Sequence, residues 1–563
     1  MEGNHAIRLQ GVDTTVAAEV VDRLVRDRVA ERIWERDHRV WKPGPEEIVN
    51  RLGWLDSPAR MGDGVAEMEG LAGELRREGF THALLLGMGG SSLAPEVLRK
   101  TLGVAPGFLD LTVVDSTDPD FINYQRKTLA SRKTCFIVST KSGTTVETLS
   151  LFRYFFRETV RDAGEASAGR RFIAVTDPRS PLVDLAEKHR FRALFLNDPE
   201  IGGRFAALSF FGLLPAALGG SDLRGLLDSG ITAMDACRGG GRENPALVLG
   251  GLLGAFALAG KDKATFVLSP EIAPFGAWLE QLIAESTGKE GRGILPVAGE
   301  PLGPPDAYGR DRLFIAIRLK WEGAYGPALT RLAARGHPVV SMEIGDLRQL
   351  GGQFYLWEMA TAVAGHILGI NPFDQPDVET AKKRARAMVA RYLETRTLPV
   401  EAPVFEEGSL RVYGERGGAS PGEILTSFFE KTEEDGYIAV QAYLDPCGET
   451  ERALGGLRKR VFERFGKATS VGYGPRYLHS TGQLFKGDGG KGVFLQLTAD
   501  AAEEAAIPDE DDLNRSSVTF GVLKAAQALG DREALRDLGR PVLSIHLGKH
   551  PVESLERITG DIL

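Results

Sequence analysis

Residues 81–100 read THALLLGMGGSSLAPEVLRK, and this stretch decides the fold class. An apolar run ends at a glycine-rich loop, residues 87–92, and an amphipathic pattern starts at Leu93. A short apolar run bounded by turn residues reads as a buried strand, and the pattern behind it as a crossover helix. The same texture recurs in LTVVDSTDPD, TCFIVSTKSGTT, RFIAVTDP and ALFLND. Strands that are apolar throughout, rather than alternating, belong to a parallel sheet covered on both faces. The expectation is a doubly wound α/β unit.

Working outward, residues 1–75 read as helical, with charges over one face, and residues 76–228 as the first α/β unit. Residues 229–395 repeat the plan. ALVLGGLLGAFALAG is an apolar helix, KATFVLS, GILPV, RLFIAIRL and PVVSMEI are strand-like, and GAWLEQLIAEST and FYLWEMATAVAGHILG are helical. Residues 396–425 are rich in Pro, Gly and Glu and read as a linker. Residues 426–563 form a third, C-terminal α/β unit with strands in YIAVQAYL, GVFLQLT and PVLSIHLG.

The chain has 563 residues, a net charge of −9 and a pI near 5.7. That balance argues against a nucleic-acid partner, which calls for a basic face. It leaves an anionic small molecule open, because a few local cations can dominate one pocket. Three cysteines far apart (Cys135, Cys237, Cys447) exclude a disulfide framework and a cysteine metal cluster, and fit a reducing compartment. The opening residues lack an uninterrupted apolar core. FAALSFFGLLPAALGG is short for a membrane span and is broken by Pro215. A cytoplasmic protein without a membrane partner is expected, with no metal and no cofactor.

Four segments can carry chemistry. The loop ending in Gly90, Ser91 and Ser92 sits between strand and helix, where backbone N–H groups meet an anion. The third small residue of a dinucleotide fingerprint falls on Ser92, so a nicotinamide is disfavoured. The plain alternative is a tight turn. Ser139-Thr140-Lys141-Ser142-Gly143-Thr144-Thr145 offers five hydroxyls and a lysine before a helix, the make-up of an oxyanion cradle rather than an ordinary polar loop. Glu147 behind it has the ordinary role of supporting the helix dipole. Gly202-Gly203-Arg204 precedes an apolar segment and would fix a cation over a developing anion; otherwise Arg204 is a surface residue. Gln281 and Glu285 share one helix face, and a carboxylate there can move a proton between adjacent carbons; otherwise it caps or pairs.

GMGGSSLAP, STKSGTTVET, GGR, QLIAESTGK and GINPFDQPDVETAKK, in this order, resemble the signature segments of the glucose-6-phosphate isomerase family over residues 40–390. The remainder is similar to the isomerase half of bifunctional transaldolase/glucose-6-phosphate isomerases; no stretch is long enough for a transaldolase barrel. The resemblance implies two doubly wound, parallel-sheet subdomains of the sugar-isomerase (SIS) type plus the C-terminal α/β domain. It implies interconversion of glucose 6-phosphate and fructose 6-phosphate through ring opening and a cis-enediolate, with a sugar phosphate as partner and a homodimer as the usual state. Gly90, Ser91, Thr140, Lys141, Ser142, Thr145, Gly203, Gln281 and Gln375 are then expected to bind substrate. Glu285 is the implied base, Arg204 the cation on the enediolate, and Lys382 the group at the ring oxygen.

One departure stands out. The family carries a catalytic His between the Glu and DQ motifs, and LPVAGEPLGPPDAYGRDRLF holds none. LHSTGQ at 478–483 looks like that segment relocated, so His479 is expected to assist ring opening from the third unit. His366 reads as a wall residue. Two other readings remain open: a regulatory protein that binds sugar phosphates without chemistry, and an isomerase that also takes mannose 6-phosphate.

Overall fold

The computed structural model describes residues 7–129, 132–320, 323 and 325–562. β1 (Arg8–Gln10) opens this part of the chain and edges the second sheet. The first sheet comprises β2 (His82–Gly87), β3 (Asp110–Val114), β4 (Thr134–Ser139), β5 (Phe172–Thr176) and β6 (Ala193–Leu196). It is parallel throughout, in the order β3-β2-β4-β5-β6. The chain winds outward from β2 to β3, then crosses back to β4. The loops after β2 and β4 therefore splay apart at a topological switch point. Their ends are level, with Gly87 opposite Ser139. α1 (Leu93–Leu102) follows the first loop and α2 (Val146–Ala163) the second.

α3 (Pro245–Leu258) leads into the second sheet, which adds β7 (Lys263–Leu268), β8 (Leu295–Val297), β9 (Arg312–Leu319) and β10 (Val339–Ile344). Its order is β1-β10-β9-β7-β8, and only β1 runs antiparallel. α4 (Phe275–Thr287) follows β7, again beside a switch point, and α5 (Leu350–Leu368) follows β10. A single apolar core joins the first two sheets, with Trp54, Trp278 and Trp357 buried in it. Burial of this kind, about 25 cal/mol per Å² of apolar surface, is what holds the two sheets together.

α6 (Val378–Thr395) leaves the second sheet and packs against the helix Phe520–Asp537 of the third unit. The third sheet comprises β11 (Phe405–Glu407), β12 (Leu410–Tyr413), β13 (Tyr437–Tyr443), β14 (Ala468–Tyr473), β15 (Gly492–Thr498) and β18 (Val542–His546). β16 (Ala506–Ile507) and β17 (Val518–Thr519) make a separate two-stranded ribbon. The order is β11-β12-β18-β15-β13-β14, with β11 and β12 antiparallel at one edge. α7 (Pro421–Phe429), α8 (Gly448–Phe465) and α10 (Pro551–Gly560) cover one face, and α9 (Phe520–Asp537) the other.

Three segment expectations change. Residues 396–425 are not a plain linker: they hold β11, β12 and the start of α7, whose cap Ser420 accepts from the Glu423 N–H. An edge strand pairs on one side only and tolerates the charged, interrupted sequence that a central strand does not. The boundary at 228 falls inside a helix, Leu223–Arg238. Residues 1–75 are helical in short pieces but begin with β1, and residues 1–6 lie outside the described residues. Among the described residues no helix is long and apolar enough to cross a membrane. The Pro215 segment forms a buried helix, Phe210–Leu218.

Candidate active site

The first loop is shaped by close backbone approach. At Gly89, with φ +56°, an added Cβ would lie 2.9 Å from Gln281 Nε2 and 3.0 Å from the His479 carbonyl oxygen. At Gly90 it would lie 1.9 Å from the Gly203 carbonyl oxygen. At Gly90 the obstacle is backbone that would have to move, and at Gly89 the left-handed φ strains any other residue. The loop thus ties the first sheet to the Arg204 turn and to the third unit at once. Ser91 is buried, and its carbonyl accepts from Ser139 Oγ at 3.2 Å. Ser92 Oγ donates to Asp115 at 2.9 Å, a structural contact.

In the second loop the Thr140 and Thr145 hydroxyls lie 3.0 Å apart, as do those of Ser142 and Thr144. Thr145 is the N-cap of α2, and its side chain makes no capping hydrogen bond. The first N–H groups of an 18-residue helix therefore face this hydroxyl cluster. Lys141 is turned elsewhere: its amino group binds the Asp177 carboxylate and the Pro199 carbonyl. Asp177 neutralises the lysine expected to face an anion, and the hydroxyls and helix N–H groups of the loop are left without a neighbouring cation from Lys141.

Arg204 is buried in a 3₁₀ turn, Gly203–Phe205. Its Nε donates to Ser286 Oγ at 2.8 Å, Nη1 to Gln375 Oε1 at 2.9 Å, and Nη2 to the Pro372 and Asp374 carbonyls at 2.7 and 3.0 Å. One direction from Nη1 remains, and Glu285 Oε1 stands there at 3.5 Å. Burial draws the Arg204 pKa below the usual guanidinium value, while Glu285 and Asp374 oppose that shift. The guanidinium is a fixed cation that four neighbours hold in plane.

Gln281 and Glu285 lie one turn apart on α4, as the spacing requires. The Gln281 amide donates to Glu285 Oε2 at 3.2 Å and to the His479 carbonyl at 2.8 Å. Lys289, one residue past the α4 cap, is buried with its amino group 2.8 Å from Asp374 Oδ1. Burial and the charge of Arg204 push its pKa down to about 8.

His479 enters from the third unit on a short turn, Arg476–His479. Its Nε2 lies 3.1 Å from Glu147 Oε1. Gln527 of α9 donates to the same oxygen at 2.7 Å and accepts from Thr117 at 3.0 Å. Burial pushes the Glu147 carboxyl up, but His479, the helix backbone and Lys382 outweigh it and hold it below the ordinary range. The sequence assigned Glu147 only to the helix dipole; its buried pairing with His479 depends on a contact no local pattern announces.

A cavity of about 490 Å³ opens in front of this pair, lined by Ser142, Thr144, Thr145, Glu147, His479 and Lys382. Lys382 pairs with Glu379 at 2.8 Å on the exposed rim. Glu285 and Arg204 do not line this cavity; Gln281 and the backbone of His479 connect them to it. The structure thus brings together Gly90, Gly203, Arg204, Gln281, Glu285, Gln375 and His479 through direct contacts, with the hydroxyl loop and Lys382 across the cavity. His366 bonds to the Val40 carbonyl and takes no part. Among the described residues no group of three or more His, Cys, Asp or Glu side chains is placed to hold a metal.

The sequence profile of the family described as phosphoglucose isomerase matches residues 67–293. A protein of Haloarcula marismortui named "Probable glucose-6-phosphate isomerase" is 30% identical over 345 residues, covering 54% of this chain and 77% of its own. This chain belongs to the glucose-6-phosphate isomerase family. A Rubrobacter xylanophilus relative named "Glucose-6-phosphate isomerase" is 29% identical, over 57% of this chain and 85% of its own. Among solved structures, a hypothetical protein from Thermus thermophilus matches with a TM-score of 0.60 at 25% identity, over 68% of this chain and all of its own. A glucose-6-phosphate isomerase from Chlamydia trachomatis shares the fold at 20% identity and a TM-score of 0.54, over 70% of this chain and 90% of its own. The stretch matched by the isomerase profile holds the two loops, Arg204, Gln281, Glu285 and Lys289. Gln375, Lys382 and His479 lie beyond it.

Proposed function

We propose that this chain is a glucose-6-phosphate isomerase, interconverting glucose 6-phosphate and fructose 6-phosphate. The observation that carries the proposal is the Glu285–Arg204 pair, 3.5 Å apart and joined to His479 through Gln281. A carboxylate held against a fixed cation suits a proton transfer whose intermediate is an anion.

The phosphoryl group is held by the hydroxyls of Ser142, Thr144 and Thr145 and by the N-terminus of α2. Ser91, Gly90, Gly203 and Gln375 bound the sugar on the opposite side. Ring opening needs a proton moved between the anomeric hydroxyl and the ring oxygen; His479 and Lys382 flank the cavity where that occurs. Glu147, ionised and buried, orients the His479 ring. Glu285 takes the proton from carbon 2 and returns it to carbon 1 as the carbonyl shifts the other way. Arg204 supplies positive charge to the cis-enediolate at no cost in reorganisation, since its neighbours already hold it.

A protein that only binds sugar phosphates would gain nothing from a carboxylate beside a buried guanidinium, which disfavours the regulatory reading. The free thiols of Cys135, Cys237 and Cys447 support a reducing compartment, the cytoplasm. A homodimer is not required to complete the site in this reading. The test is a coupled assay on the full chain: fructose 6-phosphate is supplied and glucose 6-phosphate is detected by its dehydrogenase. Absence of turnover with correctly folded protein removes the proposal.

A further inference from the structure

The third sheet has two faces of opposite character. Along one, Val440, Ala442, Leu495, Leu497, Leu543 and Ile545 pack into an apolar core. Along the other, the residues between them begin apolar (Ala439, Phe494, Val542) and turn polar toward the carboxyl ends: Gln441 and Tyr443, Gln496 and Thr498, Ser544 and His546. Gln441, Tyr443, Gln496 and Ser544 are buried. A parallel sheet covered on both faces is normally apolar on both, because each polar group taken from water needs a partner. Here Gln441 donates to Asp531, Tyr443 meets Tyr477, and Gln496 donates to the Ala528 carbonyl and accepts from Ser544, so the carboxyl edge carries a built polar layer.

That edge encloses a second cavity, of about 470 Å³. It lies over β12, β18 and β15, with Tyr443 reaching it from β13 across the switch point of this sheet. Arg411, Gln496, Thr498, Ser544 and His546 line it from the strands, and Lys524 and Arg532 from α9. Arg532 is 8% exposed, and its Nε has no hydrogen-bond partner among the described residues. Its nearest carboxylate, Glu401, stands 3.5 Å from Nη2 and also pairs with Arg536 at 3.0 Å. Thr498 Oγ1 meets His546 Nδ1 at 3.1 Å, and Asp500 meets Nε2 of the same ring at 3.2 Å. α9 is the wall between the two cavities: Leu523 and Gln527 face the first, while Lys524, Ala528 and Arg532 face the second.

We infer that the carboxyl edge of the third sheet is a second small-molecule site, and that it takes a polyhydroxylated anion: a sugar or polyol bearing a carboxylate or a phosphate. Hydroxyls of such a ligand match the amide, hydroxyl and carboxylate groups of Gln496, Thr498, Ser544 and Asp500. The unpartnered N–H of Arg532 matches its acidic group, whereas the Lys524 amino group is already paired with Asp118 at 2.8 Å.

The test is isothermal calorimetry on the full chain with three probes: gluconate, sorbitol 6-phosphate and sorbitol. Arg532→Gln removes the anion contact, and Ser544→Leu fills the cavity. At least one anionic probe is expected to bind a site whose affinity falls tenfold or more in both variants. Isomerase turnover, measured separately, should stay within twofold of the parent, so the outcome is independent of the proposed activity. Gluconate and sorbitol 6-phosphate tell the carboxylate from the phosphate. If neither anion gives heat that both variants diminish, there is no such site. If sorbitol binds as tightly as the anions, the assignment of Arg532 is wrong.

Discussion

His479 Nε2 and Glu147 Oε1 lie 3.1 Å apart although 332 positions separate them in the chain. One sits at the start of α2 in the first sheet's second loop, the other on a turn of the third unit. Their pairing makes the third unit part of the candidate site rather than an appendage.

Removing His479 should show in both activity and stability. With His479 in place, the Glu147 carboxyl is held below its ordinary value of 4.5. Its contribution to stability is then present above that value and lost as pH falls through the folded pKa. In His479→Ala the ring that meets the carboxylate is gone, and burial pushes the carboxyl up instead. The variant should lose about 3 kcal/mol at neutral pH, with the deficit shrinking toward pH 5. Urea unfolding at the two pH values checks this. Turnover that is unchanged for both sugar anomers would remove His479 from ring opening.

Glu285→Gln should reduce kcat by at least ~10²-fold with KM nearly kept, the usual scale for a general base. The coupled assay reads it directly. Arg204→Lys keeps a charge but loses the fork that binds Ser286, Gln375, Pro372 and Asp374. A drop of about 10²-fold in kcat is expected, since a single positioned cation or donor contributes on that scale.

Gly90 and Gly203 adjoin each other but should respond differently. A Cβ on Gly90 meets the Gly203 carbonyl oxygen at 1.9 Å, whereas a Cβ on Gly203 meets nothing within 4 Å. Gly90→Ala should cost about 1–3 kcal/mol or more and most of the activity, as overpacking against backbone does. Gly203→Ala should fold like the parent. Thermal melts of the two variants side by side decide it.

Lys289 gives a second pH signature, of the same sign as that of Glu147 but in the alkaline range. Burial and Arg204 lower its folded pKa to about 8 from 10.5. Below pH 8 the folded state carries the full burden of a buried ammonium. As pH rises from about 8 toward 10.5, the folded state is neutral while the unfolded chain still holds its proton, so stability should rise. The slope from this group is at most about 1.4 kcal/mol per pH unit. In Lys289→Met that slope should vanish from the urea midpoints measured across the same pH interval.

The sequence made much of this visible where the signal is local. The loops after β2 and β4 announce themselves by an apolar run, glycines and hydroxyls within a dozen residues. The spacing of Gln281 and Glu285 is a one-turn relation that needs no tertiary information. LHSTGQ marked His479 through resemblance alone. Glu147 and Lys289 escaped because burial and a distant partner, not their neighbours in sequence, give them their character. The same holds for Lys141, whose charge goes to Asp177 at the end of the neighbouring strand β5, a pairing that the loop's composition does not reveal. β11 and β12 escaped because edge strands lack the continuous apolar run on which parallel strands are recognised. β14 reads ATSVGY, too polar at one end to meet the same criterion.

A Cβ added at Gly89 would meet Gln281 and His479 at once, so the glycine loop, the Gln281–Glu285 helix and the His479 turn fit together within one polypeptide. A site complete in one chain predicts a rate with no second-order term in protein concentration. The specific activity should hold on dilution from micromolar to nanomolar protein, where a site shared between two chains would fade as they part.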